Sequence, residues 1–105
     1  MSFSDLVYIN GRRVRPMAAK ISVFDHAFLY GDSVFETIKS YGGFLFALDE
    51  HLHRLERSAR HIQLKLPVSL PGLKRWLQAA VKPLGSGDGR VRVMITRGQG
   101  PIGLD

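Results

Sequence analysis

The segment from Asp25 to Tyr41 constrains the fold more than any other part of this 105-residue chain. A polar turn containing Gly31 leads into Ser33–Tyr41, a run of β-branched and aromatic residues that is typical of a strand. Side chains alternate between the two faces of a strand. One face would carry Val34, Glu36, Ile38 and Ser40, and the other Ser33, Phe35, Thr37, Lys39 and Tyr41. The sequence therefore predicts a strand whose two faces have different chemistry.

Tight-turn residues divide the other β-rich segments into strands. Asn10-Gly11 and Gly42-Gly43 suit the positive φ angles that short hairpins require. The predicted extended segments are a hairpin over 7–14, a short strand over 21–24, a returning strand over 44–47 and a strand over 90–97. In the last of these, Val91, Val93 and Ile95 share one face, and Arg90, Arg92, Met94 and Thr96 share the other.

Two segments have apolar residues at helical spacing. Asp49 is a suitable N-cap for the first helix, and Pro67 ends it. Its apolar stripe is Leu52, Leu55, Ala59, Ile62 and Leu66. Ser69 caps the second helix, whose core face is Leu73, Trp76, Leu77, Ala80 and Val81. We therefore expect one α+β domain, an antiparallel sheet backed by two helices.

Composition excludes several classes of function. Without cysteine the chain has no disulfide, no thiol catalysis and no cysteine-based zinc site. No apolar run approaches the roughly 20 residues that cross a bilayer, so we expect no membrane contact. A cytoplasmic location is consistent with this expectation but does not follow from it. The net charge of +6 is dispersed along the chain, which disfavours nucleic-acid binding, although a small basic binding module stays an alternative. His51, His53 and His61 do not share one helix face, so we expect solvated or capping histidines and no metal site.

Arg54 lies in the run His51-Leu52-His53-Arg54-Leu55, directly after the glycine hairpin. By spacing alone it is a solvated helix arginine or an ion-pair partner of Glu50. The turn, strand, hairpin and helix in this order resemble the N-terminal domain of the class IV pyridoxal-phosphate-dependent aminotransferases, from Val7 to Asp105. The resemblance implies that Arg54 binds the phosphate of pyridoxal 5'-phosphate. A guanidinium suits this role because it forms two charge-assisted hydrogen bonds at once.

The same resemblance implies a substrate pocket. One wall of it would be formed by Phe35, Thr37, Lys39, Arg90 and Arg92. A second group would reach the pocket of a neighbouring subunit, which implies a homodimer; it consists of Tyr30, Ile102, Gly103 and Leu104. Arg90 stands where branched-chain enzymes carry a tyrosine, which favours an acidic substrate. The loop after this strand lacks the Arg and His of the D-amino-acid enzymes, which disfavours D-amino-acid specificity.

The resemblance implies transfer of an amino group between an amino acid, branched-chain-like or acidic, and a 2-oxo acid. An aminodeoxychorismate lyase-like enzyme is the alternative within the family. The lysine that binds the cofactor covalently belongs to a second, C-terminal domain, beyond residue 105, so Lys39 does not take that role. We therefore expect residues 1–105 to be the small N-terminal domain and to be catalytically inactive by themselves.

Overall fold

The computed structural model describes residues 5–102. Its strands are β1 (Val7–Ile9), β2 (Arg12–Val14), β3 (Ser33–Tyr41), β4 (Phe44–Leu45) and β5 (Gly89–Thr96). Its helices are α1 (His26–Tyr30), α2 (Leu48–His61) and α3 (Leu70–Val81), with single 3-10 turns at Pro16–Ala18 and Lys82–Leu84. No helix within residues 5–102 is long and apolar enough to cross a bilayer.

The central element is an antiparallel sheet with the order β4-β3-β5. β3 pairs with the whole of β5, from Ser33 opposite Thr96 to Ser40 opposite Gly89. β1 and β2 form a separate hairpin, in which Asn10 and Gly11 take φ angles of 53° and 79°. The predicted hairpins and the long strand are therefore confirmed.

The core lies between one face of this sheet and the two long helices. β3 contributes Val34 and Ile38, and β5 contributes Val93. The helices contribute Leu48, Leu52, Leu55, Ala59, Leu73, Leu77 and Val81. The opposite face of the sheet is exposed at Phe35, Thr37 and Lys39. The predicted α+β fold, a sheet backed by two helices, is confirmed.

Three of the predicted strands differ from the structure. The strand predicted over 90–97 runs from Gly89 to Thr96, a shift of one residue. Residues 21–24 form a turn, because the Asp25 amide donates to the Ser22 carbonyl at 3.1 Å and the Phe24 amide to the Ser22 hydroxyl at 3.0 Å. The predicted strand there is wrong. β4 ends at Leu45, two residues early, since Ala47 adopts a left-handed φ of 54° and begins the next helix.

The start and the end of α2 also differ from the prediction. Ala47 is the N-cap of α2, so Asp49 lies in the first turn and is not the cap. The helix ends at His61, and Leu66 packs against the core from the following loop. Ser69 caps α3 as predicted, by accepting from the Gly72 amide at 3.2 Å.

Candidate functional site

A buried carboxylate joins β3 to α2. Glu36 lies on the helix-covered face of the sheet, where it accepts hydrogen bonds from two side chains of α2. Arg54 donates from Nη2 to Glu36 Oε1 at 2.7 Å and from Nε to Oε2 at 2.9 Å. His51 Nδ1 lies 2.7 Å from Oε1. His51 and Arg54 are three residues apart, so they share one helix face.

Electrostatics keep Glu36 and Arg54 charged. The hydrogen bond from Arg54 lowers the pKa of Glu36; burial acts in the opposite direction, and the hydrogen bond with His51 lowers the pKa further. The hydrogen bond with Glu36 in turn raises the pKa of Arg54. A buried carboxylate that accepts from a guanidinium is favoured in its ionised form. Glu36 and Arg54 therefore form a permanent ion pair at neutral pH.

One edge of the Arg54 guanidinium is left for a ligand. Glu36 uses Nε and Nη2, and among residues 5–102 no acceptor contacts Nη1. The Arg54 side chain is 60% exposed, whereas that of Glu36 is 7% exposed. A guanidinium carries five N–H groups in a planar fork. The carboxylate thus fixes the direction of the fork and leaves N–H groups facing solvent, which suits a phosphate.

The outer face of the sheet collects the five residues predicted for a pocket wall. Lys39 lies directly opposite Arg90, and Thr37 lies directly opposite Arg92. The Arg92 guanidinium carbon stands 4.0 Å above the centre of the Phe35 ring. No carboxylate within the described part of the chain lies within 4.0 Å of Lys39, Arg90 or Arg92. Like charges opposite one another destabilise a sheet, so this face favours an anionic ligand.

A third group connects α1 to the loop after β5. Tyr30 ends α1, and its ring packs edge-to-face on His26 with 5.2 Å between ring centres. His26 Nε2 lies 2.9 Å from the Pro101 carbonyl oxygen. Ile102, the next residue, is 72% exposed. Gly103 and Leu104 lie outside the described residues.

The structure separates these predicted site residues into groups. Arg54 lies on the helix-covered side of β3, while Phe35 and Lys39 lie on the other side. Tyr30 and Ile102 belong to the α1 group described above. Two surface depressions, beside Glu56 and Leu70 and beside Gly43 and Lys74, contain none of these residues. The arrangement therefore supplies separate surfaces for several parts of a ligand.

Sequence reasoning missed Glu36 and His51. The alternative partner proposed for Arg54 was Glu50, but the carboxylate that Arg54 contacts is Glu36. His51 was expected to be solvated or to cap the helix, yet its side chain is 19% exposed and bonded to Glu36. A signal was present, because Glu36 interrupts the apolar face of β3 and a buried carboxylate requires a donor.

Comparisons with known proteins agree with this architecture. Residues 33–105 match the family model of amino-transferase class IV. A putative branched-chain-amino-acid aminotransferase of Methanocaldococcus jannaschii is 39% identical over 99 residues, covering 94% of this chain and 34% of that protein. The aminodeoxychorismate lyase of Bacillus subtilis is 40% identical over 95 residues, covering 89% of this chain and 32% of that protein.

A solved structure gives the same result. It is a hypothetical aminotransferase from Mycobacterium tuberculosis in its PLP-bound form, that is, with pyridoxal phosphate. It superposes with a TM-score of 0.78 at 29% identity, over 85% of this chain and 32% of that chain. The 105-residue chain therefore belongs to the class IV aminotransferases and corresponds to their N-terminal region. The chain spans about a third of the length of the curated relatives it matches.

Proposed function

We propose that this chain is the N-terminal domain of a pyridoxal-phosphate-dependent aminotransferase and that Arg54 binds the cofactor phosphate. The whole enzyme moves an amino group between an amino acid and a 2-oxo acid. The observation that carries the proposal is the fork of Arg54, held by Glu36 along one edge and exposed along the other. The solved relative in its PLP-bound form supports the choice of cofactor.

Arg54 binds and orients the phosphate. Its free N–H groups donate charge-assisted hydrogen bonds to phosphate oxygens. Glu36 and His51 position Arg54 and do not contact the ligand themselves. When bound, pyridoxal phosphate acts as the electron sink for the transfer of the amino group. In the longer enzyme, a lysine of a second domain would hold the cofactor covalently.

The outer face of the sheet forms one wall of the substrate pocket. Lys39, Arg90 and Arg92 supply positive charge, and Phe35 supplies an apolar surface that the Arg92 guanidinium covers. Three cations without a nearby carboxylate favour a substrate that has an acidic side chain, and Phe35 tolerates a branched apolar one. Tyr30 and residues 102–104 complete the pocket of a neighbouring subunit in a homodimer.

Titration with the cofactor tests the role of Arg54. In the longer enzyme, we expect Arg54→Ala to weaken the binding of pyridoxal phosphate by about 10- to 100-fold, the value of one or two charge-assisted hydrogen bonds. The matched control is Arg57→Ala, since Arg57 is an exposed arginine on the same helix. Binding is followed by absorbance between 300 and 500 nm. An unchanged affinity in Arg54→Ala contradicts the proposal.

The second candidate is a lyase that acts on aminodeoxychorismate. The relative named for that reaction is 40% identical, and the cationic outer face suits an acidic substrate equally well. Incubation of the longer enzyme with aminodeoxychorismate, or with acidic and branched-chain amino acids plus a 2-oxo acid, discriminates between them. Amino transfer to the 2-oxo acid supports the first candidate, and turnover of aminodeoxychorismate alone supports the second.

A further inference from the structure

We propose that His26 is a positioning residue that sets Tyr30 and the loop 98–102 at a fixed distance from each other. The two segments are about 70 residues apart in sequence, and the imidazole of His26 contacts both of them. The side chain of His26 is 13% exposed, so its position is well determined by its surroundings.

Several hydrogen bonds bring the loop to α1. The His26 amide donates to the Gly98 carbonyl at 2.9 Å, and the Gly100 amide donates to the Phe24 carbonyl at 3.2 Å. Asp25 forms an isolated bridge with Gln99 and accepts from the Thr96 hydroxyl at 3.1 Å. These bonds fix the backbone of residues 98–100. The loop beyond Gly100 is contacted by the His26 ring.

The acceptor defines the tautomer of His26. A backbone carbonyl accepts hydrogen bonds and cannot donate them, so Nε2 carries the proton that is shared with Pro101. Nδ1 faces Asp32 Oδ2 at 4.0 Å, and the same Oδ2 accepts from Arg97 Nε at 2.6 Å. The bond from Nε2 therefore orients the ring toward Pro101, and the rings of His26 and Tyr30 meet edge-to-face.

The loop approaches the imidazole so closely that it excludes a side chain. A Cβ built at Gly100 would lie 2.6 Å from His26 Nε2, nearer than real Cβ atoms come. Gly100 and His26 are thus complementary in shape. A larger residue at position 100 would displace the ring and, with it, the contact to Tyr30.

The consequence for function rests on the function proposed above. If Tyr30 and Ile102 both reach a substrate pocket, His26 determines the distance between them without contacting the substrate. A change at His26 should then alter the KM for the amino acid more than kcat. The affinity for pyridoxal phosphate should stay the same, because Arg54 lies in a different group of contacts.

Two substitutions separate the two contacts of His26. His26→Phe keeps an aromatic ring beside Tyr30 and removes the donor to Pro101. His26→Gln keeps an N–H donor at the same number of bonds from Cα and removes the ring. The matched controls are His53→Phe and His53→Gln, at an exposed histidine of α2. The same two substitutions are made at both positions, so His26 and His53 variants of the same type have the same amino-acid composition.

Hydrogen exchange and NMR of the 105-residue chain measure positioning without the cofactor. We expect the Gly100 amide to exchange about three- to tenfold faster in His26→Phe and at an unchanged rate in His26→Gln, because one hydrogen bond is lost only in the former. The Tyr30 ring protons should shift in His26→Gln and keep most of their shift in His26→Phe. Protection of the Ile38 amide in β3 shows that each variant is folded.

The outcomes distinguish this inference from the proposed function. Equal behaviour of both His26 variants and the His53 controls overturns the positioning role, whatever the enzyme does. In the expected crossed pattern, His26→Phe changes the exchange of the Gly100 amide and His26→Gln changes the Tyr30 ring protons. This crossed pattern together with a raised KM in the longer enzyme supports the inference and the pocket assignment. The crossed pattern with an unchanged KM upholds the positioning role and contradicts the placement of Tyr30 and Ile102 in the pocket.

Discussion

Glu36 is a buried carboxylate on a face of β3 whose other residues belong to the core or are buried. Ionised carboxylates are costly to bury unless they are paired and hydrogen-bonded. Arg54 and His51 meet this requirement from α2. The same contacts that stabilise Glu36 also give Arg54 a single direction. At the scale of the residue, one ion pair thus connects the stability of the domain to the geometry of its proposed ligand site.

The pH dependence of stability should reveal this pair. The folded pKa of Glu36 lies below its ordinary value of 4.5, so the pair stabilises the fold fully above that pH. Stability is lost as the pH falls through the folded pKa. We expect Glu36→Gln to lower the free energy of unfolding by about 1–3 kcal/mol at pH 7. The difference from the parent chain should shrink as the pH falls below 4.5 and approach zero once Glu36 is protonated in the folded state.

Urea unfolding at several pH values measures this effect. Glu56→Gln is the control, because Glu56 pairs with Arg60 at the surface. Surface pairs contribute about 0–1 kcal/mol, so the control should differ little from the parent at any pH. A gap between Glu36→Gln and the parent that is constant from pH 7 to pH 3 would show that the pair does not titrate as described.

The stability of the domain should respond differently to loss of the hydroxyl at two serines. Ser40 is fully buried, and its Oγ has no hydrogen-bond partner within residues 5–102. Ser40→Ala should therefore leave stability unchanged or raise it by up to about 1 kcal/mol. Ser69→Ala should cost about 1 kcal/mol, since it removes the N-cap of α3. Thermal unfolding gives both values, and a clear loss in Ser40→Ala would reveal an unrecognised partner.

At the scale of the element, the hairpin β1–β2 packs on α3. A Cβ built at Gly11 would lie 2.9 Å from the Trp76 ring, and the Tyr8 hydroxyl lies 3.5 Å from the Ala80 carbonyl. Trp76 was predicted in the core, but it is 43% exposed and covers the hairpin turn. Helical spacing placed it on the apolar face, but spacing does not say which element will cover that face.

Gly11→Ala should loosen the hairpin from the helix. Gly11 has a φ of 79°, where a side chain is strained, and the added methyl group meets the Trp76 ring. We expect a loss of about 1–3 kcal/mol and a red shift of the Trp76 fluorescence. Gly87→Ala is the control, because a Cβ there meets its nearest neighbour at an ordinary 3.5 Å. Equal free energies of unfolding of the two variants would show that the Gly11–Trp76 contact does not contribute to stability.

The elements that the sequence predicted correctly are those with a local cause. Alternation gave β3 and β5, the glycine turns gave the hairpins, and Ser69 gave the start of α3. The errors arose where the pattern of residue types does not reveal a turn, a helix start or a partner. The segment 21–24 turns because Ser22 bonds to the backbone after it, and α2 begins at Ala47 through a left-handed residue. The Glu36–Arg54 pair joins residues 18 positions apart, which no local pattern reveals.

At the scale of the whole molecule, four of the basic residues form two groups on the sheet and its helix. Arg54 is directed by a buried carboxylate, and Lys39, Arg90 and Arg92 cluster on an exposed face. These two groups lie on opposite sides of β3 and suit two anionic parts of one reaction, a phosphate and an acidic substrate. The family resemblance predicted these residues, and their roles as ligands stay predictions.

A structure of the longer enzyme with pyridoxal phosphate bound tests the central claim most directly. We expect a phosphate oxygen within hydrogen-bonding distance of Arg54 Nη1, about 2.7–2.9 Å, while Nε and Nη2 still donate to Glu36. A phosphate bound elsewhere, with the Arg54 fork contacting Glu36 and solvent alone, would contradict the account.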